Sequence, residues 1–303
     1  MTTTNDTTAA PAKPSHALAQ TLRPLRGAPA LDVADGAGLD NRIVREQQLL
    51  STLCYLHRFQ WLTARMLAPL VFPHASQALP LARRLLNSMQ SDSLLIRRAV
   101  PQCGSAEAFL LSAKGAKLLH ESTGADAASG QNVSLGNAIH RAAANWFCIT
   151  ALGRGWDVAT EHELATGITG VHAVGGKVFD GLLLGDIGAN GVGDAVAIEV
   201  ERAWKNREER KAIVDVCIRH LGAEPMTMLT DSYALRQMSI VATDMSALRH
   251  MSASFLEAYR DGRITEAQLQ AVNVCLLPVS RSLVPGETEE GNLWFDVLLP
   301  ALN

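Results

Sequence analysis

Two strand-like segments that carry acidic residues constrain the fold of this chain more than any other feature. The segments, 177–184 and 195–202, are strongly apolar and are separated by a glycine-rich turn. Asp180 lies near the start of the first, and Glu199 and Glu201 lie inside the second. Because side chains alternate across a strand, Glu199 and Glu201 project from one face. The pattern predicts a polar site between two neighbouring strands of an otherwise apolar sheet.

Such a pair of strands can hold a divalent cation. Carboxylates are the ligands that Mg²⁺ and Mn²⁺ prefer, and a bound cation can activate water against a phosphodiester. We therefore predict Asp180 and Glu199 as metal ligands, with Glu201 as a further catalytic residue. In the alternative interpretation, Glu201 pairs with an arginine at the sheet edge and Asp180 caps a turn.

Two other residues are candidates for the same site. A strand is predicted over 156–164, where Glu161 and Glu163 would share a face, so that Glu163 adds a ligand. His140, on a predicted helix, would donate a proton or contact phosphate. The alternative for His140 is a buried hydrogen bond, and His162 alternates away from the two glutamates.

The first half of the chain predicts a different unit. Helical periodicity begins at Asn41, and further helices are predicted over 62–70 and from Ser76. Short strands over 94–100 and 106–111 flank a turn, and Ser112 is a candidate N-cap for a return helix. Three helices, a hairpin and a helix are the element order of a winged helix-turn-helix.

Six basic residues fall where that interpretation places DNA contacts, on the third helix, the wing and the return helix: Arg83, Arg84, Arg97, Arg98, Lys114 and Lys117. The alternatives are solvated faces of a small helical domain, or a winged helix that binds protein.

The predicted organisation is α/β (α+β), with a tail over 1–40, a winged helix-turn-helix over 41–122 and a mixed-sheet domain over 134–303. A linker over 121–133 separates the two domains. In the second domain a helix from Ser134 precedes the strands, which are predicted over 156–164, 177–184, 195–202, 239–243 and 272–279, with helices over 206–221 and 246–260.

The second domain resembles the PD-(D/E)xK nuclease superfamily, whose core is a helix, a β-meander, a helix and a strand. That resemblance implies a restriction-endonuclease-like fold with acids on successive strands. The family's lysine lies two residues after the second acid, where this chain has Glu201. Lys177 would point to the opposite face of a regular strand, and Lys205 follows the strand's end.

Across residues 43–221 the chain resembles the replication-relaxation family of plasmids and integrative elements. The residues that carry this resemblance are 110–115, His140, Asp180-Gly181 and 199–202. It implies DNA binding or processing in the replication, mobilisation or conjugative transfer of a mobile genetic element.

Two functions compete for this sequence, and the missing lysine favours the first. The first is a mobile-element DNA-binding protein with a degenerate or atypical nuclease-like domain; the second is an active Mg²⁺- or Mn²⁺-dependent endonuclease or nickase. A winged-helix transcriptional regulator is a third possibility and predicts an apolar ligand pocket. The expected partners are double-stranded DNA, replication or transfer proteins, and a second copy in a homodimer.

Composition limits the compartment and leaves the partner open. The 303 residues are 48% hydrophobic with a net charge of −3, so DNA binding requires a local basic surface. The five cysteines are scattered singly, which favours a reducing cytoplasm. We expect no membrane association, because the sequence contains no apolar run of about 18 residues.

Overall fold

The computed structural model describes residues 40–171, 173–202, 206–286 and 295–297, with the backbone alone for the last range. The predicted tail over 1–40 lies outside the described residues except for Asp40. We call residues 41–123 the helical unit and the residues from 138 onward the sheet unit.

The helical unit has the element order that the sequence predicts. Its elements are α1 (Asn41–Phe59), α2 (Ala64–Val71), α3 (Ala78–Ser91), β1 (Leu95–Ala99), β2 (Glu107–Leu111) and α4 (Ala113–Thr123). The Ser112 hydroxyl accepts a hydrogen bond from the Gly115 N–H, which confirms the predicted N-cap. Leu62 forms an antiparallel bridge with Phe109, so a third short strand segment flanks β2.

The connection between the units is packed against the helical unit. A short 3₁₀ helix, Gly130–Asn132, lies on β2. A Cβ atom at Gly130 would come within 2.6 Å of the Leu110 Cβ, so the backbone needs a glycine for this approach. Arg98 donates a hydrogen bond to the Val133 carbonyl at 2.7 Å. Specific contacts therefore hold the predicted linker on the surface of the helical unit.

The sheet unit alternates helices and strands around one mixed sheet. Its elements are α5 (Ala138–Gly153), β3 (Asp157–Thr160), α6 (Glu161–Ala165), β4 (Gly181–Ile187), β5 (Gly193–Glu201), α7 (Arg207–His220), β6 (Met228–Thr230), β7 (Tyr233–Ala242), α8 (Met245–Arg260), α9 (Glu266–Gln270), β8 (Val272–Leu276) and β9 (Phe295–Val297).

The strand order in the sheet is β3-β4-β5-β7-β8-β9, with β6 paired to β7. The first three strands form an antiparallel meander, whereas β5, β7 and β8 are parallel. Alternation divides the β5 side chains: Ile198 and Val200 pack on the α5 side, and Ala195 and Ala197 on the α7 and α8 side. The predicted mixed α/β sheet is confirmed.

Several predicted strand boundaries are wrong. The strand predicted over 239–243 already begins at Tyr233, and the one predicted over 272–279 ends at Leu276. The strand predicted over 156–164 ends at Thr160, where a capping box starts α6: the Thr160 hydroxyl accepts from the Glu163 N–H, and the Glu163 carboxylate accepts from the Thr160 N–H. The strand predicted over 177–184 begins at Gly181, because the chain reverses at a turn whose Gly175 and Gly176 both have positive φ.

The two units share a hydrophobic core. One buried cluster includes Leu53 and Leu86 of the helical unit together with Ala143, Ile198 and Val200 of the sheet unit. A second cluster lies on the opposite face of the sheet, beneath α7 and α8. The α5 helix therefore lies between the sheet and the helical unit and contacts both.

Candidate functional site

Asp180 is fixed at the start of β4, directly beside β5. Its N–H donates to the Ile198 carbonyl at 3.0 Å, and its Oδ2 accepts from the Val200 N–H at 2.7 Å. The buried side chain of Glu199 comes from β5 one residue before Val200. The antiparallel pairing of β4 and β5 therefore brings Asp180 and Glu199 to one end of the strand pair, as the sequence predicts.

His140 reaches Asp180 from the first turn of α5, with its Nε2 3.0 Å from Asp180 Oδ1. Burial lowers the His140 pKa, but the hydrogen bond to Asp180 and the charges of Asp180, Glu161 and Glu199 outweigh it, so the pKa is raised. For Asp180, burial raises the pKa, but His140, the Val200 N–H and Lys177 together hold it below its usual range. The two groups thus stabilise each other's charged forms.

Lys177 contacts the second acid. Its Nζ lies 2.8 Å from Glu199 Oε1, where the Glu199 side chain is 4% exposed and that of Lys177 28%. The prediction that Lys177 points to the opposite face is wrong, since Lys177 belongs to the turn before β4 and strand alternation does not apply to it. The other candidate lysine, Lys205, lies outside the described residues.

Asp180, Glu199, His140 and Lys177 form what we call the acidic cluster. Glu201 follows on the same strand and is buried, and its carbonyl accepts hydrogen bonds from the Thr243 N–H and hydroxyl. At this end of β5, Glu201 pairs with Ala242 of β7 and lies beyond the pairing with β4, which ends at Ile198.

Glu161 lies next to the acidic cluster, although α6 is a helix and not the predicted strand. Its carboxylate accepts from Arg141 Nη2 at 2.9 Å, and Arg141 Nη1 donates to Gln60 Oε1 at 2.6 Å. Burial raises the pKa of Glu161, an effect only partly offset by Arg141. Glu161 also interacts electrostatically with Asp180 and His140.

Glu163 has a different partner. Its Oε1 accepts from Arg58 Nε at 2.6 Å, and both side chains are buried. Its Oε2 accepts from the Thr160 N–H at 2.8 Å, as part of the capping box. The structure thus places Glu163 in a buried ion pair with the helical unit and not on a strand face with Glu161.

Within the described ranges, no group of three or more His, Cys, Asp or Glu side chains is arranged to hold a metal ion. Asp180 and Glu199 provide two carboxylates, the type of ligand that hard divalent cations prefer. The donors that now contact these carboxylates, Lys177 and His140, would have to move aside for direct ligation.

The predicted DNA-binding arginines of α3 are exposed. Arg83, Arg84 and Asn87 occupy one solvent-facing side of the helix, which we call the α3 surface. Neither arginine forms an ion pair or hydrogen bond with another described residue. The sequence from 47 to 91 contains no Asp or Glu. The positive charge of the α3 surface is therefore not neutralised locally.

The other four predicted DNA contacts already have partners within the chain. The pairs are Arg97 with Glu107 at 3.6 Å, Arg98 with the Val133 carbonyl at 2.7 Å, Lys114 with the Asp92 carbonyl at 2.9 Å, and Lys117 with Glu121 at 3.7 Å. The loop between β1 and β2 is also partly buried, since Val100 and Cys103 belong to the shared core.

The sequence did not predict three features near the acidic cluster. They are the contact of Lys177 with Glu199 and the positions of Arg141 and Gln60. The Gly175-Gly176 pair signals the turn that releases Lys177 from the strand. Nothing local in the sequence marks Arg141 or Gln60.

Comparison with protein families, characterised proteins and solved structures finds no significant match for this chain. Among the helices in the described parts of the chain, none combines the length and the hydropathy that crossing a bilayer requires.

Proposed function

We propose that this chain binds duplex DNA through the α3 surface and cleaves or nicks a DNA strand at the acidic cluster with Mg²⁺ or Mn²⁺. The observation that carries the proposal is the 2.8 Å contact between Lys177 and Glu199, beside Asp180. No lysine lies two residues after Glu199 on β5, but Lys177, in the turn before β4, contacts Glu199. This contact weakens the argument, drawn from the missing lysine, that the sheet unit is non-catalytic.

The arrangement of elements supports a nuclease-like interpretation of the sheet unit. Helix α5, the meander β3-β4-β5, helix α7 and strand β7 follow one another in the order of the PD-(D/E)xK core. Asp180 and Glu199 fall on its successive strands, at the positions where that resemblance places the acids.

The helical unit supports the DNA-binding half of the proposal. The bridge between Leu62 and Phe109 adds a short strand to the β1-β2 hairpin, which is consistent with a winged helix. The third helix would enter the major groove with Arg83, Arg84 and Asn87 facing the DNA. Arginine can contact phosphate or guanine, and asparagine can pair with adenine.

In the proposed reaction Asp180 and Glu199 would hold the cation. A bound divalent cation lowers the pKa of water and polarises a phosphodiester. The Lys177 ammonium, moved aside from Glu199, would stabilise negative charge on the phosphate. His140, moved aside from Asp180, would hold a proton at Nε2 and release it toward a leaving oxygen.

Nicking of supercoiled plasmid tests this proposal. The wild type and the variants Asp180→Ala, Glu199→Ala and Lys177→Met are incubated with Mg²⁺, Mn²⁺ or EDTA, with Arg263→Ala as a surface control outside the cluster. We expect metal-dependent nicking by the wild type and the control, and at least a hundredfold loss in the three variants. Absence of nicking by the folded wild type with either metal would reject catalysis.

The second candidate is a DNA-binding protein of a mobile element whose nuclease-like domain is degenerate. The favouring observation is that Asp180 and Glu199 each contact a cationic side chain, and no three-ligand metal group exists among the described residues. The resemblance to the replication-relaxation family implies a role in plasmid replication, mobilisation or transfer. Metal-independent duplex binding without nicking would select it.

A further inference from the structure

We propose that the helical unit and the sheet unit form one rigid body, so that the α3 surface and the acidic cluster keep a fixed mutual position on DNA. Arg58, Gln60 and Glu163 are, in this proposal, the residues that fix the position of cleavage relative to the bound sequence. The part that concerns cleavage rests on the proposed function, whereas the rigid body itself does not.

The first attachment is the end of α1. Arg58 donates to both carboxylate oxygens of Glu163, at 2.6 and 3.3 Å, and to the Val158 carbonyl at 2.6 Å. The Thr160 hydroxyl donates to the Arg58 carbonyl at 2.6 Å. These bonds join one helix end to β3 and α6, and Arg58 and Glu163 are each 6% exposed. Charge-assisted hydrogen bonds are shorter and stronger than neutral ones, and the low dielectric of a buried site strengthens them further.

Gln60 extends this attachment toward the acidic cluster. Its Oε1 accepts from Arg141 Nη1 at 2.6 Å, and its Nε2 lies 2.9 Å from His162 Nδ1. Gln60 has a positive φ of 62°, an unusual conformation for a residue other than glycine. A backbone held in this conformation implies that the surrounding contacts determine it. Through Arg141 and Glu161, the end of α1 is thus connected to the neighbours of His140.

The second attachment joins α5 to the residues that follow α1, and the third involves the loop between β1 and β2. Asn145 Nδ2 donates to the Trp61 carbonyl at 3.1 Å, and Asn145 is buried. Cys103 of the wing loop is buried in the shared core, near the charges of Arg202 and Arg281 from the sheet unit. Arg202 in turn donates to Asn137 at the start of α5.

These attachments lie on different elements, at the α1 end, along α5 and at the wing. A single contact leaves a hinge, but contacts on three separate elements remove relative rotation as well as translation. The shared core adds close packing between the same elements. The position of the α3 surface relative to the acidic cluster is therefore set by the interface and not by the length of the 124–137 connection.

Pulsed electron spin resonance measures this fixed distance without requiring activity. Nitroxide labels are placed on the full chain at Asn87→Cys and Glu208→Cys, both exposed, in a Cys54→Ser background, since the other native cysteines are buried. We expect one narrow distance distribution in the absence of DNA. A broad or bimodal distribution in the wild-type interface would overturn the rigid body.

Three variants assign the role to the named residues. Arg58→Met and Gln60→Ala are expected to broaden the distribution, and Arg263→Met, which removes an exposed pair with Asp215, is expected to leave it narrow. Near-ultraviolet circular dichroism shows whether Arg58→Met still folds. If that variant unfolds, Gln60→Ala decides the assignment; an unchanged distribution in the folded variants would refute it.

Nick mapping by primer extension on supercoiled plasmid tests the DNA consequence. A four-residue Gly-Ser insertion after Ala128 lengthens the connection, yet we expect the same nick positions as for the wild type. Scattered positions in the insertion variant would contradict a fixed geometry. If the wild type does not nick DNA while the distance distribution is narrow, cleavage fails and the rigid body stands.

Discussion

The charged side chains of the α3 surface and of the acidic cluster differ in solvent exposure and in pairing. On the α3 surface, Arg83 and Arg84 face solvent without a partner among the described residues. In the acidic cluster, Asp180 contacts His140 and Glu199 contacts Lys177, each within 3.0 Å. A charge in water needs no internal partner, whereas a buried carboxylate is costly unless it is paired. The α3 surface can therefore bind a ligand directly, whereas the acidic cluster must exchange its internal partners to bind one.

This difference predicts that substitutions in the two regions affect different quantities. Changes in the acidic cluster should lower the free energy of unfolding, because they leave a buried partner uncompensated. Changes on the α3 surface should alter binding and leave stability unchanged. Four experiments test this difference, in order of decreasing expected effect.

Asp180→Ala should have the largest effect. It removes the acceptor of the Val200 N–H and the partner of His140, so we expect a loss of about 2–4 kcal/mol in the free energy of unfolding. Urea unfolding at neutral pH measures it. Arg83→Ala is the matched control and should change stability by less than about 0.5 kcal/mol. Equal losses in both variants would remove the distinction between the two regions.

The double variant Arg83→Ala/Arg84→Ala should weaken duplex binding about tenfold or more near physiological salt, because two phosphate contacts are lost. The slope of log binding constant against log salt should become shallower by about 1.8. Fluorescence anisotropy with a labelled duplex at several salt concentrations measures both quantities. Unchanged affinity and slope would show that α3 does not contact DNA.

The His140–Asp180 pair should make stability depend on pH. The raised pKa of His140 means that its contribution is fully present below the ordinary value of 6.5 and is lost as the pH rises through the raised pKa. The lowered pKa of Asp180 means that its contribution is present above 3.8 and is lost as the pH falls through the lowered pKa. Stabilisation by the pair is therefore largest between these two values.

Unfolding free energies of the wild type and His140→Gln, measured in urea from about pH 5 to about pH 9, test this dependence. The difference between the two proteins should shrink as the pH rises. A difference that stays constant across this range would mean that His140 contributes by packing and not by charge.

Arg97→Ala should have the smallest effect, less than about twofold on duplex affinity. Its guanidinium is paired with Glu107 and is less available to phosphate than those of Arg83 and Arg84. The same anisotropy assay compares it with Arg84→Ala. A loss as large as that of Arg84→Ala would show that Arg97 leaves Glu107 and contacts DNA.

Local patterns in the sequence predict much of the fold. Helical periodicity locates the helices of the helical unit, and apolar runs locate β5 and the meander around it. The proximity of Asp180 and Glu199 follows from antiparallel pairing of neighbouring strands, which is a short-range relation. The end of β3 was missed because the capping box at Thr160 competes with a strand pattern that continues past it.

The contacts that complete the site are not local. Lys177 was assigned by strand alternation, and that assumption fails because the chain turns at Gly175 and Gly176. Arg58 and Glu163 lie 105 positions apart, so no periodicity or spacing relates them. Such pairs depend on how two units pack, which the sequence of either unit does not specify alone.

The separation of Arg58 and Glu163 along the chain also bears on biosynthesis. During translation, the helical unit leaves the ribosome before β3 and α6, so Arg58 and the apolar side chains of the shared core must wait for their partners. Until then the nascent chain exposes an apolar surface that a chaperone would recognise. A truncated chain that ends near residue 123 would expose that apolar surface permanently. We expect it to be poorly soluble because the sheet unit is missing.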